Sequence, residues 1–194
     1  ELWSSAEQQQ NYLPGVPEGS DLCITPVSAP ENHYVRIKAD NRLEADGTLR
    51  GTFTLTAEGQ SDSNIRRIFT TGFQSEWKST MERQLLAISP KARLLSVDYG
   101  KNPKDYQAAP IKITFRYEIP DYALKGEGEM FFRPMVMNNL YNQVRSYMWI
   151  DTSVENRKYG FKDACSRLVE LDETVQLPAG YKLVSACLLY TSPS

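Results

Sequence analysis

The chain's one imidazole, His33, follows Cys23 in the sequence, and a cysteine with a histidine is the minimum for thiol chemistry: the thiolate attacks and the ring takes its proton. Cys–His enzymes usually seat the nucleophile at a helix N-terminus, whose dipole holds the thiolate. Cys23 is followed instead by Ile24-Thr25-Pro26, which starts no helix, so the pair reads as a loop cysteine and a strand-start histidine. Cys165, in Asp163-Ala164-Cys165-Ser166, has no second histidine to use. A Ser–His–Asp triad would compete for the same ring, with no Gly-x-Ser-x-Gly turn to present a serine. Glu127 and Glu129, two apart in a strand, would share one face at ~7 Å, within the range of paired glycosidase acids. With 24 acidic residues in the chain such pairs arise by chance, and on an antiparallel sheet they usually mark the solvated face. Gly126-Glu127-Gly128 is no phosphate loop, because neither a Lys-Ser/Thr nor a strand-to-helix junction follows it. Cys23, Cys165 and Cys187 have no metal-ligand spacing. The reading therefore assigns no catalytic residue, no metal ligand and no cofactor.

What remains is YNQVRSYMWIDTSVENRKYGF. Tyr141, Tyr147, Trp149 and Tyr159 alternate there with Asn142, Gln143, Arg145 and Arg157, the way faces for sugars and peptides are often built, with flat rings for apolar contact and polar groups for orientation. Tyr141, Tyr147, Trp149 and Arg157 are the ligand-binding candidates, for a glycan or a peptide. The competing reading is that Tyr147 and Trp149 cap a sheet core, and it is favoured because large aromatics are mostly buried.

These residues need a scaffold, and periodicity predicts one rich in strands. Val35, Ile37 and Ala39 alternate with Arg36, Lys38 and Asp40; after Asp46-Gly47, Leu49, Phe53, Leu55 and Ala57 alternate with Arg50, Thr52, Thr54 and Thr56. The spacing predicts a long hairpin. Ser61-Asp62-Ser63 supplies helix caps, and apolar residues from Ile65 to Ile88 recur at helical steps until Pro90, with Gly72 dividing the run into two pieces or bending one. Leu94, Leu95, Val97 and Tyr99 predict a short strand. Ile111, Ile113, Phe115, Tyr117 and Ile119 alternate with Lys112, Thr114, Arg116 and Glu118, with Met130 to Phe132 expected as the return partner. Val169 to Leu177 predicts a strand, and Pro178-Ala179-Gly180 a turn into a final strand ending near Val184. The fold class is α+β: a predominantly antiparallel sheet or sandwich, with one helical region, about 62–89, packed on a face.

The totals narrow the function. A chain of 194 residues, 41% hydrophobic and 24% charged, is composed like a globular domain and not like a disordered one. With net charge −2 and scattered Lys and Arg, nothing builds a surface for nucleic acid or anionic lipid, and no apolar run reaches a membrane span. Residues 1–30 are rich in Gln, Ser, Gly and Pro and read as extended linker.

The opening ELWSSAEQQQNYLPG resembles the segment just after the catalytic core of bacterial transglutaminase-like proteins of the papain-type superfamily. The hairpin LEADGTLRGTFTLTAEGQSDSNIRR, the strand KITFRYEIPDYA and the late NRKYGF with VQLPAGYKL resemble the β-rich C-terminal domain of unknown function that follows that core. The likeness runs from Glu1 to about Val184. It implies that 1–30 is the tail of an upstream core plus linker, and that 31–184 is a non-catalytic accessory domain. The Cys, His and Asp of the family's triad would then lie upstream of Glu1. The parent would be exported to the periplasm or cell exterior of a Gram-negative bacterium, with the upstream domain as partner. The end, CLLYTSPS, resembles translated read-through of a sequencing adaptor, so 185–194 reads as a non-native tail.

Overall fold

The structure, a computed structural model, describes residues 7–108, 110–136, 156, 158–160 and 166–186. Two short strands come first, β1 (Asn11–Tyr12) and β2 (Cys23–Ile24), paired with each other. The long strands are β3 (Val35–Leu43), β4 (Leu49–Ala57), β5 (Arg93–Asp98), β6 (Ile111–Ile119) and β9 (Val169–Gln176), with the small hairpin β7 (Leu124–Lys125) and β8 (Met130–Phe131) between β6 and β9. The five long strands form one sheet in the order β5-β6-β4-β3-β9. Helices α1 (Gly59–Thr70) and α2 (Trp77–Leu86) lie between β4 and β5 in sequence.

The α+β class is what the structure has, as a single sheet with helices on one face. β3 and β4 pair in full register from Val35↔Ala57 to Leu43↔Leu49, the long hairpin that their alternation predicts. The helical stripe divides near Gly72, where a short 3-10 turn links α1 to α2. Ile65, Phe69, Trp77, Met81 and Leu85 face the core; Ile68, within α1, and Phe73, at the break between the helices, sit exposed. Phe69 and Trp77 meet edge to face with ring centroids 5.1 Å apart, and Phe53 stacks on Phe115 at 4.3 Å. Each such fully buried side chain contributes about 1.5–3 kcal/mol by leaving water.

Three expectations need correction. β8 pairs with β7, not with β6, whose neighbours are β4 and β5. Nothing after Gln176 among the described residues is strand; instead β9 adds to the edge of β3 in parallel, Val35↔Val169 through Arg42↔Gln176. A parallel partner needs a long return connection and leaves no turn signature beside it. Lastly, the segment read as linker is held to the body. Gln8 and Thr25 are buried, the Gln8 amide lies 3.3 Å from His33 Nε2, and the Ser166 hydroxyl donates to Ser28 O at 2.6 Å.

Candidate functional site

His33 lies at the end of a 3-10 turn (Pro30–His33), directly under the start of α1. Its Nδ1 accepts the Gln60 N–H at 3.0 Å, and the Ser61 hydroxyl donates to its carbonyl at 2.9 Å. The ring thus caps a helix whose own N-cap residue, Glu58, makes no side-chain bond. Gly59, at φ +61°, admits this approach: a Cβ there would stand 2.4 Å from Nδ1. The Gln8 amide lies 3.3 Å from Nε2, and its oxygen accepts the Ser28 N–H at 3.1 Å. A ring whose Nδ1 accepts is neutral. Burial first, then the charge of Arg167, hold its pKa below the usual value, against an opposing pull from Glu58. The positive helix terminus acts in the same sense. The expected caps Ser61-Asp62-Ser63 lie inside α1; Asp62 turns to the Ile111 N–H at 2.7 Å and to Arg66 at 2.6 Å.

The Cys23 thiol lies 3.6 Å from Asp21 O, on the exposed arm. Glu127 and Glu129 do not share a strand face: both lie exposed in the turn between β7 and β8, where Gly128 has φ +80°. Cys165, Cys187, Tyr141, Tyr147, Trp149 and Arg157 lie outside the described residues. Tyr159, from the same aromatic segment, is exposed. Among the described residues no group of three His, Cys, Asp or Glu is placed to hold a metal, and no helix is long and apolar enough to cross a membrane.

Among the described residues the side chains of Arg36, Lys38, Asp40, Arg42, Arg50 and Arg116 are exposed on the other face of the sheet. Its outward side chains fall into rows across the strands: Gln176, Arg42, Arg50, Glu118 and Arg93 in one, Thr174, Asp40, Thr52, Arg116 and Ser96 in the next. A groove of about 340 Å³ runs over these two rows, lined by Asp40, Arg42, Arg50, Thr52, Leu95, Arg116 and Gln176 with backbone from the strands beneath. Leu95 reaches it because β5 bulges between Leu94 and Ser96, which turns one residue out of alternation. Glu118 bridges Arg50 at 3.2 Å and Arg93 at 3.1 Å.

No family model, curated protein or solved structure matches this chain.

Beneath the groove, on the packed face, sits a polar cluster that alternation does not predict. Asn41 of β3 and Glu173 of β9 occupy core-facing positions among Ala39, Leu43, Leu171 and Val175. The Asn41 amide donates to Glu173 at 2.8 Å, and the Tyr117 hydroxyl donates to Asn41 Oδ1. The Glu173 carboxylate also accepts the N–H groups of Met135 at 2.9 Å and Val136 at 2.8 Å, two fully buried residues that cover the β3–β9 side of the core. Burial, with Glu173 nearby, pushes the hydroxyls of Tyr117 and Tyr122 far above the usual tyrosine range, so both stay protonated donors. Gly51 makes room, since a Cβ there would lie 1.9 Å from Asn41 Oδ1.

Sequence reasoning passed over both the groove and this cluster. Two signals were present. Adjacent Leu94 and Leu95 break strand alternation, the mark of a bulge, and Asn41 interrupts an otherwise apolar face opposite a glycine.

Proposed function

We propose that this chain is a non-catalytic accessory module of an exported transglutaminase-like protein, which supports or positions an upstream Cys–His–Asp core. The observation that carries the reading is the use made of His33. A general base must offer a free ring nitrogen to a nucleophile, yet here Nδ1 is committed to the start of α1 and Nε2 faces the Gln8 amide. The chain's single imidazole serves as a cap. The anchoring of 7–28 to the body through Gln8 on His33 and Ser28 on Ser166 fits a module that receives its chain from a neighbouring domain and holds the junction in place.

The test has two arms. The chain alone is assayed for amine incorporation into a glutamine-containing protein and for peptide hydrolysis; no turnover is expected, and turnover lost in Cys23→Ser refutes the reading. A transglutaminase-like core joined to this chain is compared with the same core without it, for soluble yield and thermal midpoint. Both are expected to fall without the module. Binding of an extracellular glycan or peptide is the second reading, favoured by the open, groove-bearing sheet face.

A further inference from the structure

We propose that the groove on the open face binds the carboxylate of an acidic sugar unit in a glycan. The inference rests on the groove alone and stands whether or not the module serves a transglutaminase-like core.

Arg42 and Arg50 are direct cross-strand partners in a hydrogen-bonded pair, so their like charges face each other across the two strands. Glu44, 3.4 Å from Arg42, and Glu118, 3.2 Å from Arg50, offset that repulsion in part through the two Nε groups. Arg116, diagonal to Arg50 in the next row, forms no ion pair among the described residues. The groove lining holds three guanidinium groups and one carboxylate, Asp40; Arg50 is also paired with Glu118 and Arg42 with Glu44, so Arg116 is the cation that an incoming anion meets first. Guanidinium forks match carboxylate oxygens two at a time, which gives orientation as well as attraction.

The rest of the lining selects the kind of anion. Asp40 offers only acceptors, and Thr52 and Gln176 offer both a donor and an acceptor, so the partner must bring hydroxyl donors together with its negative charge. A hydroxylated carboxylate does this with hydroxyls set apart from the charged group, whereas phosphate carries its one or two hydroxyls on the charged centre itself. The bulged Leu95 supplies the one apolar wall, half exposed, where the C–H face of a sugar ring packs. At about 340 Å³ the groove lies at the small end of ligand sites, and it is open on top, as one unit of a longer chain requires.

The test is calorimetric titration of the full chain with a galacturonic acid oligomer, its methyl-esterified counterpart, inorganic phosphate and an oligoglutamate peptide. The acid oligomer should bind, more weakly as salt rises. Esterification, Arg116→Gln and Arg42→Gln should each reduce its affinity about tenfold, the loss of one charge-assisted contact. The thermal midpoints of both variants should stay near that of the parent, which separates lost binding from lost fold. Leu95→Ala should weaken the sugar acid and leave any phosphate binding alone. Equal affinity for acid and ester, no binding of the acid oligomer, or tighter binding of oligoglutamate or phosphate than of the sugar acid would each overturn the proposal.

Discussion

On the packed face of the sheet, Asn41, Tyr117 and Glu173 are polar groups in a hydrophobic setting, and each is tied to the others or to a backbone N–H. On the open face, one residue along in each strand, Arg42, Arg50 and Arg116 stand in water, with Arg42 and Arg50 facing each other. β3 and β6 thus carry two kinds of polar residue under opposite rules. A polar group removed from water must be satisfied internally, because leaving it bare costs about 1–3 kcal/mol, whereas a solvated charge needs no partner for the fold to hold. Polar groups on the packed face are therefore there for the structure, whereas charges on the open face, even where paired as Arg50 is with Glu118, can exchange partners with a ligand at little cost to the fold.

Glu173→Ala should break that contrast most visibly. It strips the acceptor from two buried N–H groups and the Asn41 amide, and the loss should be about 3 kcal/mol or more in denaturant unfolding. Glu173→Gln, which keeps one oxygen, should lose roughly half as much. A loss under about 1 kcal/mol for the alanine variant would mean that water replaces the carboxylate and that the cluster is not a tie.

Next in size is Gly51→Ala. Its Cβ would fall 1.9 Å from Asn41 Oδ1 and 2.8 Å from the Asp40 carbonyl, so the Asn41 side chain must swing away from Tyr117. Overpacking of this kind costs about 1–3 kcal/mol. In the double variant Gly51→Ala, Asn41→Ala the clash with the Asn41 side chain is gone and only the 2.8 Å approach to the Asp40 carbonyl remains, so the two effects should be less than additive.

His33 sharpens the contrast through pH. Unfolded, its ring titrates near 6.5; folded, burial and Arg167 hold the pKa lower. Between those values the unfolded chain binds the proton and the folded chain does not. The contribution is therefore full above about pH 6.5 and is lost as pH falls below it. His33→Gln should cost about 1 kcal/mol at neutral pH, the scale of a lost helix cap. The gap between parent and variant should narrow as pH falls from about 7.5 to about 5.5. A gap that widens instead would place the folded pKa above the unfolded one.

How much of this was legible depends on how far apart the contacts lie in the chain. The β3–β4 hairpin was readable because alternation and the Asp46-Gly47 turn are local, and the register Arg42↔Arg50 follows from that turn by counting. The break at Gly72 and the strand from Ile111 to Ile119 were readable for the same reason. The parallel seam of β3 with β9 joins residues more than a hundred positions apart, and no short-range pattern encodes such a pairing. Glu173 could not be placed without that seam, since a carboxylate in the run ELDET reads as solvated until its partners are known. The histidine was visible as a residue, but its role depends on Gln8 and Gln60, which approach from two other segments. The groove needed the β4–β6 register to set Arg116 beside Arg50 and the bulge to aim Leu95.

The smallest effect carries the opposite sign. Arg42→Thr removes a side chain that is well exposed, relieves the repulsion with Arg50, and puts a strand-favouring residue in its place. It also gives up an ion pair with Glu44 at 3.4 Å, but exposed pairs of this kind contribute little. Relief of a like-charge cross-strand pair is worth about 0.2–1 kcal/mol, so stability should rise by a few tenths. Because the relieved term is electrostatic and solvent-exposed, the gain should shrink as salt is raised from about 0.01 M to about 1 M. The informative outcome is the pairing of results: a variant that folds slightly better while binding a sugar acid more weakly shows that Arg42 is kept at a cost to the fold. A loss of more than about 1 kcal/mol would show the reverse, that the open face contributes to stability as the packed face does, and the distinction between the two would fail.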